Sequence, residues 1–286
     1  MQATSIHDVQ WWGKQLEQFV NDGRCKSPGF LKPFHFVMIA LMMKRHSISG
    51  IKLPSDLANY AARMGLWDAA DITGQPVVAK NSATGKFLPV ERIADKNTVS
   101  ASADALSLIA AKACADDLTV TSLRIALEEI LENCFAHANM DGGLWGLACA
   151  QSWPGGRKAQ IAIADCGIGI RSSLSENTET HQRLAKENSC SMATEWGVTS
   201  KPGKGHSGYG LTVARQLIEN NQGALLVCSF DEYFSMTSGY ATAANCFPWP
   251  GTIVVLEWNT DIPLDVNAVY KSWPIPSDMT EDDFDF

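Results

Sequence analysis

The stretch Thr121-Ser-Leu-Arg-Ile-Ala-Leu-Glu-Glu-Ile-Leu-Glu-Asn-Cys-Phe-Ala-His-Ala138 decides how the chain folds. Leu123, Ala126, Leu127, Ile130, Leu131, Cys134, Phe135 and Ala138 recur at steps of three and four residues, the spacing of one face of an α-helix. The pattern predicts a core helix with Thr121 as its N-cap. Four residues turn a helix through about 400°, so Glu129, Asn133 and His137 form a polar stripe drifting roughly 40° per step beside the apolar face. Such a stripe is either solvated helix surface or one wall of a site. What the rest of the chain brings to it decides which.

The 286 residues, 45% apolar and 19% charged, describe a soluble globular protein longer than one average domain, so two domains are expected. A net charge of −8 without clustered Lys and Arg argues against a sequence-independent nucleic-acid surface. No apolar run reaches the roughly 18 residues a membrane span needs. The longest, Phe34 to Met43, is interrupted by His35. The first residues lack the basic start and apolar core of a secretory signal, which places the protein in the cytoplasm. The eight cysteines (25, 114, 134, 149, 166, 190, 228 and 246) form no C-x-x-C pair and read as buried reduced thiols.

Residues 1–96 read as a small α/β domain: an amphipathic helix from Val9 to Val20, an apolar helix opened by Pro33, a short strand from Ile48 to Leu53, and a helix from Leu57 to Met64 capped by Ser55-Asp56. Asn81 to Gly85 is turn-like, and Phe87 to Val90 is extended. The order of apolar helix, Ile-x-Leu-Pro strand and helix resembles half of a STAS-like module, in which Ser55 would be the nearest counterpart of a phosphorylated residue.

Residues 97–265 read as the second domain and 266–286 as an acidic tail. A helix from about Ser102 to Ala115 precedes the opening stretch. A β-hairpin follows, Leu144 to Trp153 and Ala159 to Ala164 around Pro154-Gly-Gly156, and it ends in Asp165-Cys-Gly-Ile-Gly-Ile170. Ile170 to Trp196, with a weakly helical middle around His181 to Lys186, reads as a long mobile connection. It leads into Gly197-Val-Thr-Ser-Lys-Pro-Gly-Lys-Gly-His-Ser-Gly-Tyr-Gly-Leu211 and a further helix. Strands Ala224 to Phe230 and Thr252 to Trp258 close the domain, with a loop from about Asp231 to Gly251 between them.

The glycine run fits neither common nucleotide motif, yet glycines let backbone N–H groups wrap phosphate oxygens, and a helix N-terminus adds favourable charge. Lys201 and Lys204 bring positive charge. Asp165, at a strand end with Gly167 and Gly169 behind it, can accept a hydrogen bond from an exocyclic amine such as that of adenine.

In order, Glu129-x-x-x-Asn133, Asp165-x-Gly-x-Gly169 and Gly203-x-Gly-x-x-Gly-x-Gly-Leu211, with Gly251-Thr252 opening the last strand, resemble the ATP-binding domain of the GHKL superfamily over roughly residues 100 to 260. The resemblance implies the Bergerat fold, a two-layer α/β sandwich of a mixed, mainly antiparallel sheet with helices on one face. It implies ATP and Mg²⁺ as cofactors, with Asn133 ligating the metal and Asp165 binding the adenine amino group. Gly167, Gly169 and Ile170 would lie against the base, with Thr252 behind it. Lys204, Gly205, His206, Ser207, Gly208, Tyr209, Gly210 and Leu211 would hold phosphates, and Ile170 to His206 would be the ATP lid. His137 is either a phosphate contact or a polar helix end. Glu129 corresponds to the residue that activates water in hydrolysing members.

Nothing matches the phosphoacceptor helix of sensor histidine kinases, and only about 25 residues follow the fold, too few for a gyrase-like or MutL-like transducer. Two classes remain. One is a regulatory ATPase or an anti-sigma-type serine/threonine protein kinase. The other is a non-catalytic module whose nucleotide-ordered lid selects a protein partner. The sequence does not name the partner, whose gene is expected to lie nearby, and residues 1–96 are left with three roles: sensing a ligand, docking a partner or pairing two chains as a homodimer.

Overall fold

In a computed structural model the chain is described over residues 3–73, 86–114, 116–137, 146–200 and 209–273, without the side chains of 110–114 and 136–137. Helices α1 (Ile6–Asp22), α2 (Pro33–Arg45), α3 (Ser55–Arg63) and α4 (Leu66–Ala69) precede strand β1 (Phe87–Ile93). Then come α5 (Val99–Cys114), α6 (Asp117–His137), β2 (Gly146–Trp153), β3 (Lys158–Ala164), the short helices α7 (Gly169–Leu174), α8 (His181–Leu184) and α9 (Ser189–Met192), α10 (Gly210–Asn220), β4 (Ala224–Thr237), β5 (Tyr240–Asn259) and α11 (Val266–Lys271). The strands form one sheet in the order β1-β2-β3-β5-β4, with every neighbouring pair antiparallel. No helix among the described residues is long and apolar enough to cross a membrane.

Alternation along the strands sends side chains to opposite faces, and here both faces are apolar. Ala148, Ala150, Ile161, Ile163, Val227, Val254 and Leu256 pack under α5, α6 and α10, the helical layer expected for this fold. Their neighbours Leu147, Cys149, Ala162, Ala164, Leu226, Cys228, Ile253 and Val255 share a second core with Trp12 and Leu16 of α1 and with Phe34, Val37, Met38 and Leu41 of α2. The N-terminal helices therefore cover the face that a two-layer sandwich leaves open.

Glu257 interrupts this second apolar face and is fully buried. It accepts hydrogen bonds from the Thr4 hydroxyl (2.6 Å) and Gln160 Nε2 (2.9 Å), and pairs with Lys158 at 3.3 Å and Lys32 at 4.0 Å. A buried carboxylate persists only when its oxygens are satisfied, and two of its partners, Thr4 and Lys32, come from the N-terminal segment. His35, the polar residue inside α2, is also buried, and burial drives its pKa down to about 3. Its neutral ring accepts the Lys32 N–H through Nδ1 at 2.9 Å and so caps the helix.

Several expected boundaries move. Residues 48–53 belong to no strand, so the strand on which the STAS-like resemblance rested is not formed. Ser55 is the first helical residue of α3, with Pro54 at the N-cap, and makes no capping hydrogen bond. Helix α6 begins at Asp117, a turn before Thr121, because the Asp116 carboxylate takes the N–H groups of Leu118 and Thr119. The expected loop from Asp231 to Gly251 is instead the outer half of a long hairpin in which β4 and β5 continue to a turn at Ser238-Gly239.

Replacing Glu257 with Ala would strand Lys158, Gln160 and Thr4 beside an apolar core. We expect a loss of about 3–5 kcal/mol in urea-denaturation stability; a loss below 1 kcal/mol would show that the network contributes little.

Candidate nucleotide site

The site sits where α6, the end of β3, the start of α10 and the bend in β5 converge. One cavity is lined by Glu129, Asn133 and Cys134 of α6, by Asp165, Gly169 and Ile170 after β3, by Gly210 and Leu211 of α10, and by Thr252 and Val254 of β5. Eight of the residues singled out in the sequence thus share one cavity wall. Of the others, Gly167 serves through its backbone and Tyr209 packs in a neighbouring aromatic stack. Lys204, Gly205, His206, Ser207 and Gly208 lie outside the described residues, as does the side chain of His137 at the end of α6.

Asp165 is the best-defined member. Its Oδ1 accepts the N–H of Gly167 at 2.8 Å and of Thr252 at 3.2 Å, while its own N–H donates to the Thr252 carbonyl at 2.9 Å. Among the described residues Oδ2 receives no hydrogen bond, so the carboxylate has one anchored oxygen and one left to the cavity. Burial outweighs the two N–H donors and pushes its pKa up to about 7. The Cys134 thiol beside it is pushed well up by burial and then by the nearness of Asp165. A half-satisfied carboxylate facing a cavity is suited to a ligand N–H donor.

The glycines explain how the walls come so close. Gly169 has φ +74°, and a Cβ there would collide with the Phe230 ring and lie 2.8 Å from Ser229 Oγ. Ser229 uses the space: its hydroxyl accepts the Ile170 N–H at 2.9 Å and donates to the Gly251 carbonyl at 2.9 Å. At Gly210 a Cβ would stand 2.5 Å from Glu129 Cβ, so α10 starts pressed against α6 at the candidate catalytic residue. Tyr270 of α11 is also close to Glu129. Its phenol is raised first by burial and then by that carboxylate.

Residues 93–222 match the family model of the histidine kinase-like ATPase domain. This stretch is a GHKL-type ATPase domain. No curated protein and no solved structure gives a match. Within residues 93–222, α5, α6 and α10 form the helical layer, and the segment between β3 and α10 is the one expected to be the lid.

That segment was expected to be a long mobile connection, yet its described part is a set of short helices with a small core of Leu174, Leu184 and Met192. Arg171 fastens it to the hairpin. It donates to both oxygens of Glu232 on β4 (2.6 and 3.0 Å), to the Leu184 carbonyl (2.5 Å) and to the Glu187 carbonyl (2.9 Å). Glu232 also takes the N–H and hydroxyl of Ser189. At the far end Trp196 stacks on Tyr209, which packs on Trp273.

Sequence reasoning missed Ser229, Trp249 and Tyr270. Ser229 looked like the end of an ordinary strand, and Trp249 fell in a supposed loop. The Trp-Pro-Gly-Thr run before the last strand was the available signal for Trp249, because proline and an adjacent glycine mark a chain that bends close to another backbone.

Two outcomes follow. Arg171→Ala should open the lid to proteolysis, with cleavage between residues 171 and 196 rising severalfold while the melting temperature drops by only a few degrees, since the main cores are untouched; unchanged cleavage would show that the clamp does not hold the lid. Asp165 has a folded-state pKa above the ordinary value of about 4, so its ionisation costs stability above pH 7, and that cost disappears as pH falls toward 4. Nucleotide-free Asp165→Asn should therefore exceed the parent in stability by on the order of 2–4 kcal/mol at pH 8 and match it near pH 4. A constant difference across that range, read by denaturation at each pH, would contradict the assignment.

Proposed function

We propose that this chain is a regulatory protein that binds ATP with Mg²⁺ in this cavity and turns it over slowly, either by hydrolysis or by phosphorylating a serine or threonine of a protein partner in the anti-sigma manner. The single observation that carries the reading is the Asp165 carboxylate, anchored through Oδ1 with Oδ2 left to the same cavity that Glu129 and Asn133 line. Oδ2 accepts the exocyclic amine of adenine. The flat cleft between Ile170, Gly169 and Thr252 takes the ring.

The donor set also suits a hard cation. Asn133 offers a neutral carboxamide oxygen, and Mg²⁺ characteristically takes a few protein oxygens, substrate phosphates and several waters. Bound there with the nucleotide, the ion would neutralise charge on the phosphates. Asn133 holds its place from the face of α6, one turn from Glu129, and the N-terminus of α10 directs its N–H groups toward the same end of the cavity.

Glu129 supplies the chemical step. Its carboxylate accepts the proton of a water, or of a partner's hydroxyl, as that oxygen bonds to the γ-phosphorus and the bond to the β–γ bridging oxygen breaks, releasing ADP. The alternative reading is a binding module, in which lid closure over ATP selects a partner without turnover. The clamped helices of the lid favour it, since they give the nucleotide a folded unit to move. A cytoplasmic protein partner fits both readings.

Glu129→Gln and Asn133→Ala separate the two. With turnover at Glu129, the first variant should retain Mg-ATP affinity within about threefold and lose 10²- to 10⁴-fold in phosphate release, whereas the second should weaken Mg-ATP binding itself. Calorimetry and phosphate release measure both. Equal, background-level turnover in parent and Glu129→Gln favours the module, and no binding of millimolar Mg-ATP by the parent removes the nucleotide reading.

A further inference from the structure

Asp165 is held largely by one four-residue segment, Trp249-Pro-Gly-Thr252. The Thr252 carbonyl accepts the Asp165 N–H, and the Thr252 N–H donates to Oδ1. Trp249 does something different. Its indole N–H donates to the Asp165 backbone carbonyl at 3.0 Å, although Trp249 is 1% exposed and belongs to the core beneath the N-terminal helices.

The placement has an identifiable origin. Along the β4–β5 ladder Ser229 faces Thr252 and Phe230 faces Trp249, so Pro250 and Gly251 have no opposite residues. This is a bulge, a device that re-aims side chains next to functional sites, and Phe230 across from it has φ +51°. Gly251, at φ +115°, passes so close to Asp165 that a Cβ would collide with the Asp165 carbonyl oxygen and lie 2.6 Å from Cys166 Cα. Phe247, two residues before Trp249, fills the space left by Gly13 in α1, where a Cβ would overlap its ring. The indole is buried in this core, and its N–H has one acceptor.

We propose that Trp249 is a positioning residue that aims the Asp165 carboxylate and so sets the preference of the site for a 6-aminopurine over a 6-oxopurine. The inference rests on the cavity being an adenine nucleotide site. With its N–H and carbonyl both tied to residues 249–252, Asp165 keeps little backbone freedom, and Oδ2 meets the base edge at a fixed angle. A 6-oxo group presents an acceptor to that acceptor, so a well-aimed carboxylate rejects it strongly. A carboxylate on a loosened backbone can turn aside and rejects it less.

The test compares ATP, inosine triphosphate and inorganic tripolyphosphate, each with Mg²⁺, by calorimetric titration of the full chain and of Trp249→Phe, which keeps an aromatic ring and removes the donor. If Trp249→Phe does not fold, the benzothienylalanine analogue at 249 keeps the bicyclic shape without the N–H. The parent should prefer ATP over inosine triphosphate by about 100-fold or more. The variant should lose roughly 3- to 10-fold of that ratio, with tripolyphosphate affinity unchanged. A ratio preserved within twofold overturns the proposal, as does a parallel loss for all three ligands, which would make Trp249 merely structural. A parent that binds none of the nucleotides fails earlier, at the nucleotide reading itself.

Discussion

Strand β3 has no side turned to water. Ala159, Ile161 and Ile163 point into one core and Ala162 and Ala164 into another, and β5 repeats the alternation with Val254 and Leu256 against Ile253 and Val255. Backbone pairing leaves such strands stable only if both faces are covered. The ATPase helices α5, α6 and α10 cover one face, so the helices of residues 6–70 are a requirement of the sheet as much as an attachment to it. Glu257 makes the same point in polar form: it sits on the face toward α1 and α2, and Thr4 and Lys32 help to satisfy it. The small residues of the sheet, Ala148, Ala150, Ala162 and Ala164, let both layers approach closely.

How much of this could be read from the sequence varied with the range of the interactions involved. Helix α6 was legible because its pattern is local and long, and the hairpin β2–β3 because alternation and a Pro-Gly-Gly turn coincide. The convergence of Glu129, Asn133, Asp165 and Thr252 was legible only by resemblance, since no spacing rule joins residues 129 and 252. What the N-terminal helices pack against was not legible, for a physical reason. An apolar segment says that it must be buried but not against what, and α2 is apolar nearly all round, with buried residues from Pro33 to Leu41. The strand expected at 48–53 failed because alternation over six residues is satisfied equally by a connection half-covered by neighbouring helices.

The hairpin and the lid were misread together. Residues 241–245 are exposed, small and uncharged, a composition typical of loops, yet they pair with Glu232 to Met236. The inner strand supplies the reason: Phe234 and Met236 are buried, and Glu232 is engaged by Arg171 and Ser189 from the lid. The hairpin is therefore the platform on which the lid helices rest. Apart from the weakly helical stretch around His181 to Lys186, where α8 forms, neither looked structured alone, because the two segments brace each other through Glu232.

The same alternation that builds the sheet makes it a thin partition at the site. Asp165 lines the candidate cavity, whereas Cys166, the next residue, belongs to the core under the N-terminal helices. Trp249 sits in that core and donates across to Asp165. A carboxylate with one unsatisfied oxygen and a pKa near 7 is an unfavourable group to bury, and it keeps its orientation because backbone contacts hold it rather than its own solvation. One of those contacts, from the Trp249 indole, comes from a residue packed on the far side of the sheet. Asp165 on one face is thus held in part by the core of the other, and the N-terminal layer reaches the candidate site through single-residue steps along the chain.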